Sequence, residues 1–166
     1  MGAMTSKVVK EHGQAGLDLI RRRMDEGWNP PIAKLIGFRL TRAGKGTATV
    51  EMEAGPQHAN PMGTLHGGVI CDIADAAMGI AYVTTLEAGE SFTTMELKVN
   101  FLRPVWTGPL FARAKLIKKG RTTGLVACRV LDGKGRLAAF ATGTCVTIAA
   151  GPGTGLARVR RESARQ

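Results

Sequence analysis

The chain has 166 residues, which fits one domain with modest tails, and its hydrophobic fraction of 44% supplies one core and argues against wholesale disorder. No apolar run approaches the roughly 20 residues needed to cross a bilayer. The formal net charge of +10 suits an anionic partner, but aromatic residues make up only 5% and no nucleic-acid motif is present, so neither a nucleic acid nor a membrane is expected as partner.

In chain order, MGAMTSKVVKEHG lacks the apolar core of a secretory signal. QAGLDLIRRRMDE (14–26) predicts a short amphipathic helix that Gly27 ends, and WNPPIAKLIG a Pro-marked turn with one more helical turn; residues 1–30 are expected as an N-terminal helical extension. Runs 36–43 and 46–53, split by AGKG, predict a β-hairpin, with TATVEME alternating as on a half-buried strand. The loop AGPQHANPMGT leads to a long apolar helix over 66–86. Strand-like runs follow at 92–101, 109–118, 122–132 and 136–148, separated by RPVWTG, KGR and DGKG. Hairpin, helix and an antiparallel meander of four strands make an α+β domain over 31–149, because helices do not alternate with strands. One helix and about six strands are best buried if the sheet curls around the helix. The segment 150–166, ending ARVRRESARQ, predicts a disordered basic tail. Cys71, Cys128 and Cys145 are odd in number, far apart and set in apolar surroundings, with no metal-ligand spacing; reduced, buried thiols in a cytoplasmic protein are expected.

The long helix poses the functional question. From Val69 to Thr85 only Asp72 and Asp75 carry charge. On a wheel of about 100° per residue, Val69, Ile73, Ala76 and Ile80 form a stripe toward the sheet. Asp75 falls on the other side, near Cys71, Met78 and Tyr82, where a partner subunit is expected to cover the apolar surface. A carboxylate in so dry a setting is a candidate base or nucleophile. His66 and Asp75 are nine residues apart, so they point to opposite sides with a rise of roughly 13 Å between them. Two such helices packed antiparallel bring His66 of one chain near Asp75 of the other. Gly67 and Gly68 stand at the helix start, where backbone N–H groups lack intrahelical acceptors and glycine lets a ligand oxygen approach. Such groups are the raw material of an oxyanion hole. Structural readings stand beside these: Asp75 as a paired acid, His66 as a helix-entry hydrogen-bonding residue, Asn60-Pro61 as a turn, and Asp72 as an acid favoured near a helix N-terminus.

The sequence N-x-M-G-T-L-H-G-G, with an aspartate nine residues after the histidine, resembles the hotdog-fold acyl-CoA thioesterases of the phenylacetic-acid-pathway (PaaI) type. So do TTMELKVNFLRPV (93–105) and the run from 108 to 144. The resemblance covers residues 33–148 and implies a long helix wrapped by an antiparallel sheet, in dimers or dimers of dimers whose sites lie at the dimer interface. It implies Asp75 as the acid that activates water or attacks the thioester. The Gly67 N–H and the Asn60 side chain of the other subunit would polarise the carbonyl. His66 would line the site, Thr94 orient the water, and Gly68, Arg103, Pro104, Lys119, Gly120 and Arg121 meet the CoA. No cofactor or metal is implied; CoA belongs to the substrate, and its thiolate leaves readily. Two departures from the family pattern stand out: Asp72, where a small or neutral residue is usual, and Gly79, where an aryl-CoA branch has threonine. A hydratase or dehydratase and a non-catalytic acyl-CoA-binding protein are the alternative readings. The acyl group is not legible, although Met78, Tyr82 and Phe92 are expected near it.

Overall fold

The computed structural model describes residues 14–149; the expected basic tail lies outside them. The first amphipathic stretch folds as α1 (Gln14–Asp25), and Pro31, with its preset φ, opens α2 (Pro31–Ile36). Gly37 closes α2 in the left-handed region at φ +83°, returning its N–H to the Ala33 carbonyl. The hairpin is β1 (Phe38–Gly44) and β2 (Thr47–Ala54), followed by α3 (Gly67–Val83) and then β3 (Glu90–Phe101), β4 (Gly108–Lys119), β5 (Thr123–Asp132) and β6 (Leu137–Ala149). Helix α3 stops three residues before the expected end. The hydroxyls of Thr84 and Thr85 each donate back to a carbonyl of the last turn, Ala81 and Tyr82 respectively, both at 2.7 Å. Among the described residues no helix is long and apolar enough to cross a membrane.

The six strands form one antiparallel sheet in the order β1-β2-β4-β5-β6-β3, the hotdog arrangement. The meander therefore holds three strands, not four. β3 leaves the helix along the far edge and pairs with β6, and residues 102–107 carry the chain back across to β4. A turn-rich break such as RPVWTG reads the same whether it joins neighbours or crosses the sheet. β3 is also the one strand without a fully buried residue, as suits an edge.

Helix α3 lies against the concave face of this sheet through Ile70, Ile73, Ala74, Ala77, Met78, Ala81 and Tyr82. The buried stripe is thus rotated from the one read off the wheel; Val69, Ala76 and Ile80 are only half-buried. Small alanines decide the orientation, because they let the backbone approach the strands. Tyr82 follows them into the core. Its ring lies over Gly124, where a Cβ would sit 2.5 Å from the ring, and its hydroxyl meets Thr147 Oγ1 at 2.7 Å. Met78 and Tyr82 are therefore core residues of their own chain and need no partner to cover them.

Helix α1 closes over the C-terminal half of the outward face of α3. Leu17 and Ile20 are buried, and the Gly16 N–H donates to the Leu86 carbonyl at 3.0 Å. A Cβ on Gly16 would overlap the Val83 carbonyl oxygen. Gly16→Ala is accordingly expected to lift α1 and cost about 1–3 kcal/mol, the usual range for overpacking. Thermal melting together with limited proteolysis checks this: the melting temperature falls and cleavage appears first in the α1–α2 segment.

Candidate active site

β3 runs antiparallel along one flank of α3 and touches it at three levels. The Phe92 ring packs on Gly79, where a Cβ would lie 3.1 Å from it. The Thr94 hydroxyl donates to Asp75 Oδ1 at 3.0 Å. The Phe101 ring covers Gly67, with 3.0 Å to the Cβ position. A bulge makes this possible: the β3–β6 register slips between Thr94 and Glu96, leaving Met95 over. The slip changes the parity of the strand, so Phe92 and Thr94 before it face the helix, as do Leu97 and Val99 after it. Cys145 stands opposite Thr94 in the register and is buried. Burial raises its thiol to about 11, Asp75's charge acts in the same direction, and the Thr94 hydroxyl partly offsets both.

At the helix entry, His66 is the N-cap: its Nδ1 accepts the Gly68 N–H at 2.9 Å, and its own N–H donates to the His58 carbonyl. Gly68 is thereby spoken for, while the Gly67 N–H has no acceptor among the described residues. His58 anchors the loop: its Nδ1 accepts from Gly55 N–H at 3.1 Å and its Nε2 donates to the Ile36 carbonyl at 2.9 Å. The Asn60 side chain organises the turn that follows. Its Oδ1 accepts the N–H groups of Met62 and Thr64, and its Nδ2 donates to Thr64 Oγ1 at 2.8 Å, which leaves one amide proton over. Arg103 and Pro104 belong to this end too, since Leu65 N–H donates to the Val105 carbonyl and both Leu102 and Arg103 donate to Ala138.

Lys119, Gly120 and Arg121 lie at the other end of α3. Lys119 Nζ donates to the Thr85 carbonyl at 2.8 Å and pairs with Glu90 at 3.7 Å, and the Gly120 N–H closes the β4–β5 turn on Thr123. One chain thus holds three separate groups: Asp75 with Thr94 at mid-helix, Asn60, His66, Gly67, Gly68, Arg103 and Pro104 at the helix entry, and residues 119–121 at its exit. Gly67 and Asp75 are about 12 Å apart along the helix axis.

Asp75 also stands in the wall of a partly open cavity of about 580 Å³ between α1, α2, the outward stripe of α3, the β1–β2 hairpin and the start of β3. Of the three residues expected near the acyl group, Phe92 lines it; Met78 and Tyr82 do not, being buried under the sheet. The contribution of α1 was not foreseen. Its apolar face reads as ordinary packing, and only the space left beneath it says otherwise. Among the described residues no group of three or more His, Cys, Asp or Glu is placed to hold a metal ion.

Residues 62–139 match the family described as Thioesterase superfamily. A Saccharolobus solfataricus protein that carries an esterase designation is 34% identical over 113 residues, 68% of this chain and 80% of that one. The chain belongs to the thioesterase superfamily. The 1,4-dihydroxy-2-naphthoyl-CoA hydrolase of Listeria monocytogenes is 29% identical over 61% of this chain and 82% of its own. The Escherichia coli PaaI protein from the phenylacetic acid degradation operon superposes with a TM-score of 0.73 at 25% identity, covering 82% of this chain and 96% of its own. This thioesterase is therefore a hotdog-fold, PaaI-like member, as its HGG segment suggested.

The departure at Asp72 has a measurable consequence. Asp72 lies beyond the first helical turn, so the N-terminal field does not hold its pKa down. Burial raises it, and the neighbouring charge of Asp75 raises it further. A carboxylate raised in the folded state weakens the fold once pH exceeds that folded value, and the penalty vanishes below the unfolded value of about 3.9. Asp72→Asn is expected to raise the melting temperature at pH 7, with a gain that shrinks as pH falls toward 4. Thermal melts across that range check it; a gain independent of pH contradicts the coupling.

Proposed function

We propose that this thioesterase hydrolyses an acyl-CoA thioester at a site shared by two copies of the chain. The observation that carries the reading is the Thr94–Asp75 hydrogen bond in the wall of an apolar cavity, with the unclaimed Gly67 N–H a rigid 12 Å or so away. Thr94 holds Oδ1 of Asp75, and Oδ2 is left to act on the carbonyl carbon, through a water whose proton it takes or by direct attack. Negative charge then builds on the carbonyl oxygen. The partner copy's Gly67 N–H and remaining Asn60 amide proton stabilise it, each donor contributing on the order of 3 kcal/mol. The C–S bond breaks, CoA departs as thiolate, and water supplies the oxygen of the free acid.

The free edge of β3 supports a dimer. Met95 is 68% exposed and Phe101 56%, and the edge they border is unpaired among the described residues. An antiparallel pairing of two β3 strands centred near Leu97 and Lys98 sets the Phe101 level of one copy against the Thr94 level of the other. Since Phe101 covers Gly67 and Thr94 holds Asp75, this pairing brings each acid to the partner's glycine amide. It also brings together groups that one chain keeps apart, so Arg103 of one copy and Lys119 and Arg121 of the other can meet the phosphates of one CoA. His66, through its cap on Gly68, fixes the helix entry in that geometry.

Asp75→Ala is expected to lower CoA release by at least about 100-fold, within the range of a positioned base, with the fold intact. Thr94→Val should cost about tenfold in kcat with KM little changed, as for one charge-assisted hydrogen bond. Thiol detection over a panel of acyl-CoAs checks both. Full turnover by Asp75→Ala would sink the assignment.

A further inference from the structure

We infer that Cys145 is a positioning residue of the hydrolysis: acting through Thr94, its thiol holds the Asp75 carboxylate in the orientation that leaves Oδ2 free to react. The inference rests on the hydrolytic reading above and extends its machinery to β6. Cys145 stands directly opposite Thr94 in the β3–β6 register, and its neighbour on the other side, in β5, is Gly124. The thiol is only 1% exposed. Gly124 brings no side chain to it, so Thr94 supplies the polar side chain of that row. The thiol and the Thr94 hydroxyl share a side-chain hydrogen bond, and the same hydroxyl donates to Asp75 Oδ1 at 3.0 Å. One hydroxyl thus joins a buried sulfur to the acid.

The direction of the chain follows from its protons. A threonine hydroxyl has one proton and two lone pairs. With the proton given to Asp75, Thr94 Oγ1 meets the sulfur only as an acceptor, and the thiol is the donor. Burial above all raises the thiol, to about 11, so it keeps its proton at neutral pH. Cys145 S–H therefore donates to Thr94 Oγ1, Thr94 O–H donates to Asp75, and each bond polarises the next. Nothing within a threonine side chain fixes where its hydroxyl proton points. The thiol occupies a lone pair of Oγ1 and so commits that proton to Asp75. It also ties the acid's support, which rides on the edge strand β3, to β6, which is paired on both sides.

A thiol that merely fills space predicts different behaviour, and two measurements separate the roles. The first needs no turnover. Infrared difference spectra between wild type and Cys145→Ser isolate the Cys145 S–H stretch. It is expected below the frequency of a thiol without an acceptor, and to rise in Thr94→Val. A stretch at the free-thiol frequency, or one unmoved by Thr94→Val, overturns the inference. The second is kinetic, with the best substrate of the acyl-CoA panel. Cys145→Ala and Cys145→Val should each lower kcat about three- to fivefold with KM little changed, as for one weak-donor hydrogen bond. Cys145→Ser keeps a donor and should stay within about twofold of wild type. In the Thr94→Val background, Cys145→Ala should cost less than about twofold more, because its effect passes through Thr94. Full activity in Cys145→Val with a loss in Cys145→Ser, or additive losses with Thr94→Val, overturns the positioning role. If Asp75→Ala is inactive while the Cys145 variants turn over normally, only this inference fails. If wild type releases no thiol, or Asp75→Ala turns over fully, the hydrolytic reading fails and the role of Cys145 falls with it.

Discussion

Eight residue steps of α-helix separate Gly67 from Asp75, and a helix cannot be shortened. The rise of about 1.5 Å per residue fixes the two groups about 12 Å apart, and the turn of the helix sends them in different directions. An amide able to polarise a carbonyl and an acid able to attack it are both present, each well supported, and they never meet within a chain. In the proposed reading, helix α3 works as a spacer between two half-sites. The rest of the architecture either braces the half-sites or supplies the surface through which a second copy can complete them.

The bracing is local and specific. At the entry, His66 caps Gly68 and leaves the Gly67 N–H over, while His58 and Asn60 tie down the loop that delivers it. At mid-helix, a single bulge in β3 turns Thr94 toward Asp75 and returns Leu97 and Val99 to the core. Without the extra residue, one of those two sets would face solvent, because side chains alternate along a strand. The edge position of β3 leaves it free to pair with an external strand, as proposed, while it serves the acid beside it.

Much of this arrangement was legible in the sequence. Alternation in TATVEME, the apolar run after HGG and the turn chemistry between later runs gave an α+β fold with six strands and one central helix. The pairing of β3 with β6 was not legible, since no local signal distinguishes a hairpin from a crossing. Nor was the buried stripe of α3: a helix apolar nearly all round gives a wheel little to discriminate, and the alanines, not the larger aliphatics, chose the face. The Thr94–Asp75 contact joins residues on different elements; the resemblance named Thr94 only as a residue that orients the water. The cavity depends on how far α1 stands off α3, a distance that no residue pattern encodes.

The reading stands or falls on whether each site draws on two copies of the chain. Mixing two inactive variants tests this directly. Asp75→Asn removes the acid and Asn60→Ala a carbonyl donor, each silent in its own homodimer. In a mixed dimer, one site would carry both lesions and the other neither. Co-expression of the two is therefore predicted to restore thiol release well above either variant alone, toward a quarter of the wild-type value per chain for random pairing. Mixed dimers verified by affinity tags that remain as inactive as their parents would contradict it, since a site built within one chain is damaged in every copy.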